Sequence, residues 1–329
     1  GVTLTRPLIM RLSFYCVLEV CIEDPDEPKD PETPHFIPAY SQKVKASKEF
    51  QTFQFDHSFV LNSLKSSMEG YVFHNQPLDT DDLLEQTVKL FNSCKTSLEL
   101  FDMLHNMRAY DDSTYAHSLN VALICRRIGK WLKVDAATLD TLTLCGLLHD
   151  IGKLKIPDEI LNKPDKYTDE EFDLVKRHTK FGYELLKTLN IDPHIKKAAL
   201  LHHERCDGSG YPLKATQKDL DDFSMVVAIA DVYDAMTAAR SYRAPLCPFQ
   251  VIERFEQEGL QKYKPKFILT FLQHIASTYQ NNRVLLSNGQ SANIVMLNQQ
   301  HLARPIVQLN DNSCIDLSTR LDLHIQSIL

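Results

Sequence analysis

The chain carries no surplus of positive charge, no C-x-x-C pair and no apolar run long enough to cross a bilayer as a helix. Lysine and arginine number 36 against 43 acidic residues, a net charge of −7. General attraction to nucleic acid polymers or anionic membranes is therefore not expected, and an anionic substrate would need its own local cluster of basic residues. The eight cysteines are scattered, which fits free thiols in a reducing compartment better than a disulfide framework. The most apolar N-terminal stretch, residues 8–22, is interrupted by Arg11 and Glu19. It is too short to span a bilayer, and the same charges break the apolar centre that a secretory leader needs. The expectation is a cytoplasmic chain with no membrane segment. An apolar fraction of 43% and a charged fraction of 24% are those of a globular protein, and 329 residues allow one large domain with one or two small ones.

The pattern along the chain changes twice. Residues 1–76 read as a small β-rich region, a candidate regulatory domain. Within it, residues 8–22 are rich in β-branched and aromatic side chains, residues 24–34 (DPDEPKDPETP) form an acidic, proline-rich linker, and residues 50–59 (FQTFQFDHSF) alternate as a strand does. Residues 77–280 show helical periodicity. Helix-opening signals stand at residues 79–82 (DTDD) and at Thr168 with Glu171, and Gly152 is a candidate left-handed cap for the helix that ends before it. Residues 281–329 return to strands, with Asn288-Gly289 between apolar runs and Asp311-Asn312 in a second hairpin. The expected fold is mainly α, a helical bundle with a small β-rich N-terminal region and a short β-rich C-terminal module.

The chemistry concentrates in HDIGK (residues 149–153) and HHERCDGSGYP (residues 202–212). Two adjacent imidazoles cannot both face one helical stripe, and burying them unpaired is costly, so a shared task such as metal binding accounts for them better. His117, His149, Asp150, His178, His202, His203 and Asp231 fall on or beside helices, and a bundle core is where facing helices can converge on a metal. Five imidazoles and two carboxylates exceed the needs of one tetrahedral ion. They suit two six-coordinate divalent ions bridged by a carboxylate and a hydroxide, with Asp150 as the natural bridge. Ligation by nitrogen and oxygen without thiolate favours Fe or Mn over Zn, Co or Ni. Two such ions, roughly 3.5–4 Å apart, suit in-line phosphoryl displacement, which is phosphodiester chemistry.

HDIGK, then IPDEIL, NKP and TDEE, then His178, then HHERCDGSGYP, then ADVYDAMT around Asp231 occur in the order of the HD-GYP domain, which this chain resembles from about residue 110 to 243. That is a branch of the HD phosphohydrolase superfamily. The resemblance implies an HD-type helical bundle that hydrolyses cyclic di-GMP to pGpG or GMP, some members acting on cyclic GMP-AMP, at an iron or manganese centre through a metal-bridging hydroxide. It implies that His117, His149, Asp150 and Asp231 serve one ion, and Asp150, His178, His202 and His203 the other. It assigns Lys153 a catalytic place near the scissile phosphate, and Tyr211, Arg240 and Arg243 to substrate binding. Members with a third metal carry a glutamate four residues before the first histidine, where this chain has Ser113, so two ions are expected. The usual His-Pro is His178-Thr179 here, and the usual Asp-Arg-Pro-Tyr-Arg is Ala239-Arg240-Ser241-Tyr242-Arg243. The alternative is a cyclic-dinucleotide-binding sensor or interaction protein with little turnover. A homodimer or a signalling-protein partner is compatible with either.

Overall fold

The computed structural model describes residues 40–107, 113–163, 165–237 and 246–329. The strands expected within residues 8–22 lie outside them. The described part opens with α1 (Tyr40–Ala46) and the long α2 (Lys48–His74). Ser47 starts α2 by accepting from Phe50 N at 3.1 Å. The strand expected at residues 50–59 is thus a helix. Phe50, Phe53, His57, Val60, Leu61, Leu64 and Met68 recur every three or four residues and are buried together, whereas Phe55 and Phe59 point outward at 74% and 63% exposure. Those two exposed rings produced the apparent alternation in sequence.

Next come α3 (Thr80–Ser93), α4 (Ser97–Met107), α5 (Thr114–Trp131) and α6 (Ala136–Leu148). Asp79, Ser113 and Asp135 cap α3, α5 and α6 by accepting from backbone N–H groups of the first turn, as their short polar side chains allow. A 3₁₀ turn (Ile151–Lys155) follows α6 and leads to α7 (Asp158–Leu161) and α8 (Asp169–Lys176). The capping box of Thr168 and Glu171 is formed in both directions. Then run α9 (His178–Leu186), α10 (Pro193–Leu201), α11 (Asp222–Thr237), α12 (Pro248–Glu258) and α13 (Pro265–Thr278).

Gly152 is not the left-handed cap expected of it. It lies inside the 3₁₀ turn, where a Cβ would meet the His178 carbonyl oxygen at 2.0 Å and Gly182 N at 2.4 Å. Glycine is required there because the turn presses backbone against α9.

The C-terminal strands form one antiparallel sheet in the order β4-β3-β2-β1-β5. They are β1 (Arg283–Leu286), β2 (Ser291–Met296), β3 (Ile306–Leu309), β4 (Cys314–Asp316) and β5 (Ile325–Ile328). Both expected hairpins are present, with positive φ at Gly289 and Asn312 in their turns. Val284, Leu286, Ala292, Ile294 and Val307 from one sheet face join the same buried apolar cluster as Phe50 and Leu64 of α2 and Leu119 and Leu123 of α5. No described helix is long and apolar enough to cross a membrane.

Candidate metal centre

Helix ends supply most of the site. His149 is the C-cap of α6 with Asp150 next, His178 opens α9, and His202 is the C-cap of α10 with His203 next. Two neighbouring residues can face one point there because the helical period has ended between them. His117 comes from the first turns of α5 and Asp231 from the middle of α11. Donor atoms of Asp150, His178, His202 and His203 lie within 4.8 Å of one another, as do those of His117, His149 and Asp150. Asp150 belongs to both groups. Its Oδ1 is 3.3 Å from His178 Nε2 and 3.6 Å from His202 Nε2, and its Oδ2 is 3.3 Å from His149 Nε2 and 3.6 Å from His117 Nε2. Asp231 closes the ring, 3.1 Å from His117 Nε2 and 3.6 Å from His203 Nδ1.

The backbone fixes which nitrogen faces inward. Nδ1 of His149, His178 and His202 sits 2.7, 2.7 and 2.9 Å from the carbonyl oxygens of Gly146, Val175 and Ala198. A carbonyl only accepts, so each Nδ1 carries the proton and each Nε2 keeps its lone pair toward Asp150. These carbonyls belong to the last turns of their helices, where each side chain can reach back to lie beside them. His117 is oriented differently. Its Nδ1 lies 2.7 Å from Asp234 Oδ2, a carboxylate one turn beyond Asp231 on α11 that the sequence reading missed. Spacing alone gave a signal, since residues three apart share a helix face.

The electrostatics suit cations. Burial pushes the His178 imidazole down to about 3, and lowers His202 and His203 as well, so these rings are neutral near pH 7. Burial alone would raise Asp150, but the Lys153 ammonium beside it outweighs that and holds the carboxyl well below its ordinary range. Asp231 is likewise ionised, burial being outweighed chiefly by the hydrogen bond with His117. For His117, burial is overcome by Asp231 and Asp234, which hold its second proton up to about 9 in the metal-free centre, so a bound cation would have to displace that proton to use Nε2. His149 Nε2 and Asp150 Oδ1 are buried with no hydrogen-bond partner, whereas Asp150 Oδ2 is met by the Lys153 ammonium at 2.5 Å. Burying a carboxylate with one oxygen unpaired, beside an inward lone pair that has no donor, is costly, and divalent cations relieve that cost. The seven residues fit such ions in charge, donor type and convergence.

The remaining expected site residues divide. Lys153 sits at the centre, its side chain 22% exposed. Tyr211 stacks on His203 with ring centroids 4.7 Å apart and planes 30° apart. Ser113, in the position of the third-metal glutamate, spends its hydroxyl on capping α5 through Ala116 N at 3.2 Å. Arg240 and Arg243 lie outside the described residues.

Comparison with known proteins agrees with this architecture. The chain is 34% identical over 183 residues to a Vibrio cholerae protein named 3′3′-cGAMP-specific phosphodiesterase 2, covering 55% of this chain and 35% of that one. It is 35% identical over 178 residues to a cyclic di-GMP phosphodiesterase of Thermotoga maritima, covering 53% of this chain and 48% of that one. The chain thus spans half or less of the length of these relatives. A solved HDG"Y"P protein from Bdellovibrio bacteriovorus shares the fold, with a TM-score of 0.54 and 17% identity over 70% of this chain and 74% of that one. The sequence pattern described as HD domain matches residues 82–267, more than half of the chain and all seven clustered histidines and aspartates, and the chain belongs to the HD domain family.

Proposed function

We propose that the chain is a metal-dependent phosphodiesterase that hydrolyses cyclic di-GMP to pGpG, GMP or both. The observation that carries this reading is the shared Asp150, a fully buried carboxylate faced by four imidazole Nε2 atoms. His117, His149, Asp150 and Asp231 would hold one divalent ion, and Asp150, His178, His202 and His203 a second, with iron or manganese favoured by the donor set. When bound, such ions supply an acidified water as nucleophile and hold the phosphoryl oxygens of the substrate.

The chain's own groups do the rest. Three histidines have their tautomer set by backbone carbonyls, so their lone pairs are in place before any ligand arrives. Lys153 stands between buried Asp150 and solvent, where its ammonium can neutralise a phosphoryl oxygen or protonate the departing 3′ oxygen. Tyr211 stacks on His203 and so would hold that ring in place beside the substrate. Arg240 and Arg243 would contribute the local positive charge that a dianionic dinucleotide needs on an acidic protein. The names of the relatives support a cyclic dinucleotide as substrate, and the Vibrio relative makes 3′3′-cGAMP the second candidate. Six described cysteines are free thiols, which supports a reducing, cytoplasmic setting.

The test is chromatography of products after incubating metal-loaded protein with each dinucleotide. Release of pGpG or GMP by the wild-type chain, abolished in Asp150→Ala, supports the proposal. Tight binding of cyclic di-GMP without products from either dinucleotide would replace the enzyme by a sensor.

A further inference from the structure

The loop after His203 is tied back to the centre by a side chain with no part in the chemistry above. Glu204 is 2% exposed and outside both donor groups. Its Oε1 accepts from Leu213 N at 2.6 Å and its Oε2 from Ala215 N at 3.0 Å. Both carboxylate oxygens are thus used to close residues 204–215 into a strap. Hydrogen bonds from amides to a carboxylate are among the stronger ones, and a buried carboxylate depends on them. The inner side of the strap is equally close. Tyr211 N donates to His203 O at 3.3 Å, and a Cβ on Gly210 would lie 2.4 Å from Glu204 Cα and 2.5 Å from His203 O. The far side is pinned by Asp207, which accepts from Ser209 N and Oγ at 3.0 and 2.6 Å. What the strap presents is Tyr211, stacked on His203 and meeting the edge of the half-exposed Phe172 ring at 6.5 Å.

We propose that Glu204 is a positioning residue: its carboxylate holds the Tyr211 loop against His203 and so sets substrate affinity, leaving metal occupancy to the seven ligands. This rests on the reading of the site as a cyclic dinucleotide phosphodiesterase. Glu204 is one residue from a ligand, yet its hydrogen bonds run away from the ligands and into the loop. Removing it should therefore loosen the mouth of the site while the His/Asp cluster keeps its geometry.

The experiment compares wild type, Glu204→Ala and Glu204→Gln as metal-loaded proteins in three measurements. Metal per chain should be unchanged in both variants. Tryptic cleavage after the exposed Lys214, followed by mass spectrometry, should quicken severalfold in Glu204→Ala and less in Glu204→Gln, which keeps one acceptor. KM for cyclic di-GMP should rise roughly tenfold or more in Glu204→Ala, the scale of a lost charge-assisted hydrogen bond, with kcat within a few-fold of wild type. If Glu204→Ala does not fold, the Gln variant carries the same comparison at smaller amplitude. Unchanged Lys214 cleavage and KM, or a loss of metal in step with activity, would overturn the proposal. Should the wild type hydrolyse no dinucleotide, the enzymatic reading fails alone, because metal content and Lys214 cleavage still report on the strap.

Discussion

Replacing Gly152 with alanine should damage the centre without altering any of the seven clustered histidines and aspartates. The new Cβ would lie 2.0 Å from the His178 carbonyl oxygen and 2.4 Å from Gly182 N, both backbone atoms that no rotamer change can move. Such a contact needs roughly 3 Å, so the 3₁₀ turn and α9 must part by about 1 Å. The segments forced apart begin at Asp150 and His178, whose facing atoms are 3.3 Å apart, so the displacement falls on the shared donor group. Overpacking of this kind costs about 1–3 kcal/mol in stability. A displacement near 1 Å at a reacting centre costs on the order of a hundredfold in rate. Gly182→Ala is the matched control, since its Cβ meets nothing nearer than 3.4 Å and alanine favours a helix interior by about 0.5–1 kcal/mol. The assay is urea denaturation of both variants, with metal content and hydrolysis rate on the same samples. A Gly152→Ala protein with wild-type midpoint, metal and rate would refute the claim that backbone contact between the turn and α9 sets the geometry.

Two further outcomes follow from single side chains. Asp234→Asn removes the carboxylate on His117 Nδ1, and metal affinity measured by chelator competition should fall about 10–100-fold while helical circular dichroism stays unchanged. Burial pushes the Asp102 carboxyl up from 3.8 to about 6, even though the Tyr40 hydroxyl donates to it. The folded state therefore holds this proton more tightly than the unfolded chain, giving stability that is present below pH 3.8 and lost as pH rises through 6. The size is about 1–3 kcal/mol, and Asp102→Asn should remove this contribution from urea midpoints compared at pH 4 and pH 7.

Much of the centre was legible because its chemistry is carried by residue type and local spacing. HDIGK and HHERCDGSGYP place histidines and an aspartate at helix ends, and a helix end is where adjacent side chains can converge. The capping box at Thr168 and the turns at Gly289 and Asn312 were readable for a similar reason, each being decided within a few residues. What escaped depends on contacts distant in sequence. Gly152 signals a close approach to α9, which begins 26 residues later, and nothing around it distinguishes that from a helix cap. Phe55 and Phe59 are large, apolar and exposed, so hydrophobicity misplaced them in a strand pattern while the buried residues around them kept the helical period. Glu204 looked like a charged neighbour of the histidine pair, because its amide partners are nine and eleven residues away.

Elemental analysis of anaerobically purified wild-type protein and of Asp150→Ala tests the central claim most directly. If Asp150 serves two ions at once, the wild type should carry about two iron or manganese ions per chain, and the single substitution should deplete both. One ion per chain in the wild type, full retention of both in Asp150→Ala, or no metal after reconstitution would contradict the account.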